Sequence, residues 1–143
     1  MNLFKVLASG KKSFLEEQAS AIIAWFMNPR MEHGLGFLFL SRFIKELQIR
    51  QSGLDEVSGK LFTQLRSDSD TELKWSCKLE YNVEDAFIDI ALFLDDWIIS
   101  IENKIYSGSA SDERQLVREY EGLKRKHNDK KFGMIFLVPY SSK

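Results

Sequence analysis

AFIDIALFLDDWIISIENK, residues 86–104, is the stretch on which the reading of this chain turns. Two segments rich in Ile, Leu and Phe, 86–94 and 97–104, flank Asp95 and Asp96, a pair suited to a tight turn, so the stretch predicts a β-hairpin. With a two-residue turn Leu94 faces Trp97, Leu92 faces Ile99, Ile90 faces Ile101 and Asp89 faces Glu102. Side chains alternate along a strand, so Lys104 is expected on the face that carries Asp89 and Glu102. The opposite face is wholly apolar. Beside the carboxylates, Ala91 opposite Ser100 leaves room. A three-residue turn would break this register.

Carboxylates set directly across neighbouring strands repel each other, and burial among Ile and Phe adds the cost of desolvating ionised groups. A bound divalent cation, a shared proton or a cationic neighbour would compensate. Oxygen-only ligands suit Mg²⁺ or Mn²⁺, and Lys104 is the cationic neighbour. Such a set serves phosphodiester hydrolysis: the metal positions a water, lowers its pKa and stabilises the developing phosphorane charge. The lysine orients or deprotonates that water, or neutralises charge in the transition state. The competing reading is a structural ion cluster on the wet side of an antiparallel sheet.

Upstream, Ser13 and Glu16 form a capping box that opens a helix over 14–27, with Leu15, Ala19, Ile22, Ile23 and Phe26 as its apolar stripe and Asn28-Pro29 as its end. A turn through His33-Gly34-Leu35-Gly36 leads to a second helix, 37–48, with Phe37, Leu40, Ile44 and Leu47 on one face. Residues 51–60 are polar and turn-rich, and 72–80 read as a first strand with mixed alternation. Downstream, residues 107–111 form a loop that can cap a helix over 112–126, in which Leu116, Tyr120 and Leu123 share a face; a last strand follows at 133–138. The expected order, α, α, β, β, β, α, β, implies one α/β domain over 1–143 with a mixed sheet flanked by helices.

Bulk properties fit a globular chain. Of 143 residues, 44% are hydrophobic and 29% charged, and no apolar run approaches the roughly 20 residues of a membrane span. No apolar block ending in a small-residue cleavage site opens the chain, and Cys77 is the single cysteine, which excludes an internal disulfide framework and a thiolate-rich zinc site. A cytoplasmic setting is expected. Net charge is −1, but residues 1–102 carry 11 basic and 16 acidic side chains and residues 103–143 carry 9 and 5. That asymmetry can gather phosphate-binding side chains on one side, or reflect only a solvated helix end.

The segments Phe87-Ile88-Asp89-Ile90 and Ile99-Ser100-Ile101-Glu102-Asn103-Lys104-Ile105 resemble the D…(D/E)-x-K signature of the PD-(D/E)XK nucleases. Phe14-Leu15-Glu16-Glu17, Ala24-Trp25, His33-Gly34-Leu35-Gly36 and Gln115-Leu116 are similar to matching stretches of one bacterial branch. The resemblance implies a restriction-endonuclease-like αβββαβ core. It also implies a metal-dependent DNA nuclease active in restriction, phage defence or DNA processing, with RNA not excluded as substrate. It makes Asp89, Glu102 and Lys104 catalytic; Asp89, Glu102, the Asn103 carbonyl and Glu17 metal-binding; and Gln115 a contact to phosphate or lysine. Arg114, Arg118, Lys124, Arg125 and Lys126 would hold the DNA backbone. Relatives extend beyond the last core strand, so this chain is expected to lack a C-terminal extension, and many such nucleases act as homodimers.

The chain departs from that pattern twice. Ile88 stands where a proline is usual, and Tyr120 follows Gln115 by five residues, where some relatives have four; Glu119 holds the four-residue position. Five residues carry a side chain off the starting face, so Tyr120 is expected in the core and only Gln115 is carried over. Glu17 reads equally as a first-turn acid on the helix dipole. His33 reads as a backbone-geometry turn before it reads as a ligand, since its glycines can take positive φ. Glu80, Glu84 and Asp85 read as solvated strand-entry charges, Trp25, Trp75 and Trp97 as core, and Cys77 as inert. The rival function is a nuclease-like fold without catalysis, serving as a nucleic-acid-binding or scaffold module.

Overall fold

A computed structural model describes residues 16–48, 74–104 and 113–137. Its elements are α1 (Glu16–Met27), α2 (Leu38–Gln48), β1 (Trp75–Asn82), β2 (Phe87–Leu94), β3 (Trp97–Asn103), α3 (Glu113–Lys126) and β4 (Lys131–Leu137). The strands lie side by side in the order β1-β2-β3-β4, antiparallel except for the parallel β3–β4 pair, so the sheet is mixed. This is the expected element order and a restriction-endonuclease-like α/β fold. Residues 13–15, 51–60, 105–112 and 138–139, on which several expectations rested, lie outside the described residues. Among those described, no helix is long and apolar enough to cross a membrane.

The β2–β3 hairpin has the predicted register. Leu94 pairs with Trp97, Leu92 with Ile99 and Ile90 with Ile101. Asp95 opens the two-residue turn with φ +49°, and its carboxylate accepts a 2.8 Å hydrogen bond from the Lys74 N–H, tying the turn to the start of β1. The first strand runs Trp75–Asn82, later than expected, because Asn82 pairs with Phe87 across a turn closed by Val83 N–H donating to Ala86 O. The last strand begins at Lys131, opposite Trp97; backbone pairing recruits this exposed lysine, which apolar content alone could not flag.

Helices cover both faces of the sheet. On one, Met27 of α1 and Leu40 and Ile44 of α2 bury against Ile90, Leu92, Leu94, Ile99 and Ile101, with Phe37, Leu47, Trp75 and Trp97 packed around them. On the other, Leu123 of α3 meets Ala91 and Ile98 together with Val83, Ala86 and Ile88. Trp25 does not join the core: it is 37% exposed and stacks edge-on against Phe26 and His33. Tyr120 is 41% exposed and meets Phe132 edge-on, because Glu119 takes the inward position on that turn. In the His33–Gly36 turn, His33 Nδ1 accepts from Leu35 N–H and Nε2 lies 2.8 Å from Asn28 O, while Gly34 and Gly36 take φ of +71° and +49°. His33 is a turn residue, held by backbone bonds.

The second cluster contains an irregularity. Ile88 and Ile90 are two apart on β2 and should share a face, yet Ile90 packs under α1 and α2 and Ile88 under α3. The β1–β2 ladder skips the Glu80–Asp89 pair, and Glu80 has φ +46°. The hairpin bends there, and its tip folds over α3. Tyr81 OH then reaches His127 Nε2 at 2.8 Å and Lys126 Nζ reaches Asn82 O at 2.9 Å.

The tip seats on a glycine. A Cβ at Gly122 would meet the Val83 carbonyl oxygen and lie 2.9 Å from Val83 Cβ. Alanine is the better helix former by roughly 1 kcal/mol, but overpacking typically costs about 1–3 kcal/mol. Gly122→Ala is therefore expected to lower the urea unfolding midpoint; an unchanged or raised midpoint would show that the tip does not rest on α3.

Candidate active site

The bend at Glu80 and Asp89 decides how the predicted residues meet. Glu102 and Lys104 lie on the α3 face of β3, as alternation requires, with Lys104 Nζ 3.7 Å from Glu102 Oε2. Asp89 leaves that face. It lines a cleft of about 300 Å³ with Glu17, Ser20 and Ala21 of α1 and with Leu79 and Glu80 of β1. The single shared face expected from the hairpin is thus corrected: Asp89 stands at the corner between the α1 cleft and the Glu102 side.

Side chains complete the hairpin where its ladder stops. The Asn103 N–H donates to Asp89 Oδ2 at 3.0 Å, and the Asp89 N–H lies 3.5 Å from Glu102 Oε1, at the limit of a hydrogen bond. Asn103 then ties β3 to α1, its amide donating to Glu16 O at 3.2 Å and Ser20 Oγ at 3.3 Å. Lys104 is fixed to β4 through its N–H and the Leu137 carbonyl, 2.8 Å apart. Three consecutive residues therefore connect to three different elements.

Buried polarity concentrates here. Among the described residues the buried polar or charged side chains are Ser20, Ser100, Glu102, Asn103 and Glu119, all belonging to this corner and the strand leading to it. Glu119 was not singled out by sequence as a site residue. It is fully buried on α3, its Oε1 accepting from Gln115 Nε2 at 2.9 Å. Its carboxyl faces that of Glu102, near enough for a hydrogen bond when one of them carries a proton. Apart from that contact, Glu102 Oε2, Glu119 Oε2 and Ser100 Oγ have no hydrogen-bond partner among the described residues. The four-residue spacing from Gln115 was the available signal, since it puts both side chains on one helix face.

The electrostatics follow from the crowding. Burial pushes the Glu102 carboxyl up from its ordinary 4.5 to about 8, and the negative charges of Asp89 and Glu119 push the same way. Burial also raises Glu119, opposed by its hydrogen bond from Gln115 and by Lys104. Cys77 is pushed up to about 11 by burial and is a poor nucleophile, as its inert reading required.

The remaining candidates divide. Glu17 is exposed and lines the Asp89 cleft. Glu80, read as a strand-entry charge, shares it. Arg114, Arg118, Lys124, Arg125 and Lys126 are all exposed on α3. Arg125 Nε is 2.8 Å from Glu84, and Lys126 lies over the Tyr81 ring while bonding Asn82 O. Among the described residues, no three Asp, Glu, His or Cys side chains converge into a ready-made metal cage. The donors nonetheless fit a hard divalent cation: every unpartnered buried atom is an oxygen, and two carboxyls meet with too little positive charge between them.

The PD-(D/E)XK nuclease superfamily model matches residues 1–143, the full sequence given. The chain belongs to the PD-(D/E)XK nuclease superfamily. No curated protein matches it. PD-(D/E)XK nucleases generally use divalent metals and act on nucleic acids.

The raised Glu102 carboxyl makes stability pH-dependent. Its folded pKa lies above its unfolded one, so the folded state binds the extra proton; that contribution is full below about 4.5 and is lost as pH rises through about 8. Metal-free protein is expected to lose thermal stability over that window. Glu102→Gln should largely remove the slope. Thermal unfolding in chelator from pH 4.5 to 8.5 checks this; identical slopes for wild type and Glu102→Gln would refute it.

Proposed function

We propose that this chain is a divalent-metal-dependent nuclease that hydrolyses phosphodiester bonds in DNA, with Asp89, Glu102 and Lys104 as its catalytic core. The observation that carries this reading is the pairing of a buried carboxylate, 2% exposed and 3.7 Å from a lysine, with a second carboxylate opening onto a cleft. Among the described residues no basic side chain lines that cleft, whose charged residues are Glu17, Glu80 and Asp89. Such a surface repels a phosphate unless a cation reverses its sign.

Asp89 and Glu102 would hold Mg²⁺ or Mn²⁺ with the Asn103 carbonyl, and Glu17 would add a carboxylate from across the cleft. When bound, the ion supplies Lewis-acid charge, lowering the pKa of a water and stabilising the phosphoryl oxygens. Lys104, held at the end of β3, orients the attacking water or neutralises charge on the scissile phosphate. Asn103 fixes the distance between α1 and β3, and so keeps Glu17 and Asp89 on the same cleft. Gln115 works through Glu119, to which its amide already donates.

Arg114 and Arg118 stand one turn apart on the end of α3 that carries Gln115 and Glu119, suited to backbone phosphates near the cut. Lys124, Arg125 and Lys126 lie about 8–10 Å further along the helix from Glu119 and would extend the contact. Work in restriction, phage defence or DNA processing follows only by analogy with the superfamily.

Wild-type protein is expected to nick supercoiled plasmid with Mg²⁺ or Mn²⁺ and not in chelator. Lys104→Ala should slow cutting by about 10²–10⁴-fold, the usual weight of a positioned acid–base group, and Glu102→Ala should abolish it. Cutting that survives both substitutions would sink the assignment, and a folded wild type that neither cuts nor binds metal would favour the scaffold reading. Separately, Arg118→Ala should weaken DNA binding and flatten its salt dependence by roughly one counterion, as read by fluorescence anisotropy from 50 to 200 mM salt; an unaltered salt slope would remove Arg118 from the interface.

A further inference from the structure

We propose that Phe87, beside Leu79, is an exposed platform next to Asp89 on which an unpaired base of the substrate rests, so that the site acts on single-stranded DNA in preference to intact duplex. The inference rests on the nuclease reading above and names the substrate class that this site takes.

The placement follows from one buried side chain. Ile88 is fully buried and packs with Val83 and Leu123 on the α3 side of the sheet. Side chains alternate along a strand, so its two neighbours, Phe87 and Asp89, both point off that side. Asp89 opens onto the α1 cleft. Phe87 therefore stands on the same side of β2, about 6–7 Å along the strand from it. Past the bend, Leu79 pairs with Ile90 and lines the cleft itself. The acid lies between two apolar side chains.

Neither of those side chains packs inside. Phe87 is 60% exposed, the most of any large apolar residue among those described, and Leu79 is 44% exposed. Neither belongs to a core cluster. Apolar side chains scattered singly over a surface are common, but these two flank a candidate catalytic carboxylate, one of them on the cleft wall.

That carboxylate names the occupant. Under the proposed function Asp89 meets a phosphate through a cation, and a nucleotide's base lies about as far from its phosphate as Phe87 lies from Asp89. The cleft, about 300 Å³, has the size of a small-ligand site and not of a duplex. Every base has a π-face, so stacking on a ring tolerates any sequence. In a duplex those faces are covered by neighbouring bases, and uncovering one costs pairing and stacking energy. A single strand presents them directly. A purely structural Phe87 would serve strand propensity, which valine also supplies; valine lacks the flat ring.

The experiment is cleavage of one labelled DNA sequence by the full chain with Mg²⁺, offered as a single strand, as a duplex, and as a single strand with one abasic residue moved along it. Wild type is expected to cut the single strand faster than the duplex and to skip bonds beside the abasic residue. Phe87→Ala and Phe87→Val should raise KM for the single strand roughly 5–10-fold, the low end for a base stacked on an aromatic side chain. They should act on KM more than on kcat, and cut beside the abasic residue as readily as elsewhere. Phe87→Trp should keep the wild-type pattern. The abasic profile needs no variant, so it decides even where a substitution fails to fold. A wild type that cuts duplex as fast as single strand, or cuts evenly past the abasic residue, overturns the inference and leaves the nuclease reading standing. So does a Phe87→Val enzyme with wild-type KM. A wild type that cuts neither form overturns both.

Discussion

The cost of holding carboxylates away from water organises this molecule. A sheet covered on both faces by helices has no place for an ionised side chain at its centre, and β2 and β3 accordingly carry no charged residue through their paired length. The charges appear where pairing ends. Asp89 and Glu102 would be the next pair after Ile90 and Ile101, and there the backbone ladder gives way to bonds between main-chain N–H groups and carboxylate oxygens. Such bonds favour the charged form, while burial and the neighbouring carboxylates disfavour it. For Glu102 burial prevails and pushes its carboxyl up to about 8.

The bend at Glu80 resolves part of that conflict and creates a cleft. Had the β1–β2 hairpin run straight, Asp89 would have pointed with Glu102 and Lys104 under α3, three charges in one closed space. The bend turns Asp89 towards α1 and sends the hairpin tip, through Val83 and Ile88, over α3. One distortion thus opens the α1 side and closes the α3 side. A glutamate in the left-handed region is strained, and the tip's contacts with Gly122, Lys126 and His127 hold it there.

The legible and illegible parts of the sequence separate along the same line. Alternation and a two-residue turn were enough to predict the β2–β3 register and to bring Glu102 beside Lys104, because both depend only on local periodicity. Apolar stripes likewise gave Leu40 and Ile44 their inward positions. Asp89's turn towards α1 was hidden, since the bend rests on a positive φ at Glu80, where no glycine marks it. Glu119 was hidden among charged residues: the sequence put Tyr120, with Leu116 and Leu123, on the inward face of α3. Tyr120 was misplaced for the same reason, the inward position on its turn being taken by a residue that looks made for water.

Near-neutral charge looks unfavourable for a protein proposed to grip a polyanion, yet the structure shows how the sum misleads. The acids of the site are concentrated at one corner, at Glu17, Glu80, Asp89, Glu102 and Glu119, on α1, three strands and the inner face of α3. The exposed basic residues Arg114, Arg118 and Arg125 lie along one outer stripe of that same helix, at spacings of four and seven. Arg118 and Glu119 are adjacent in sequence and about 100° apart around the axis. Under the proposed function a single rigid helix would connect the surface that meets phosphate with Glu119, whose carboxyl faces that of Glu102. A cation bound at the corner would cancel the acids locally, leaving the basic stripe to set the sign of the field that an approaching nucleic acid meets.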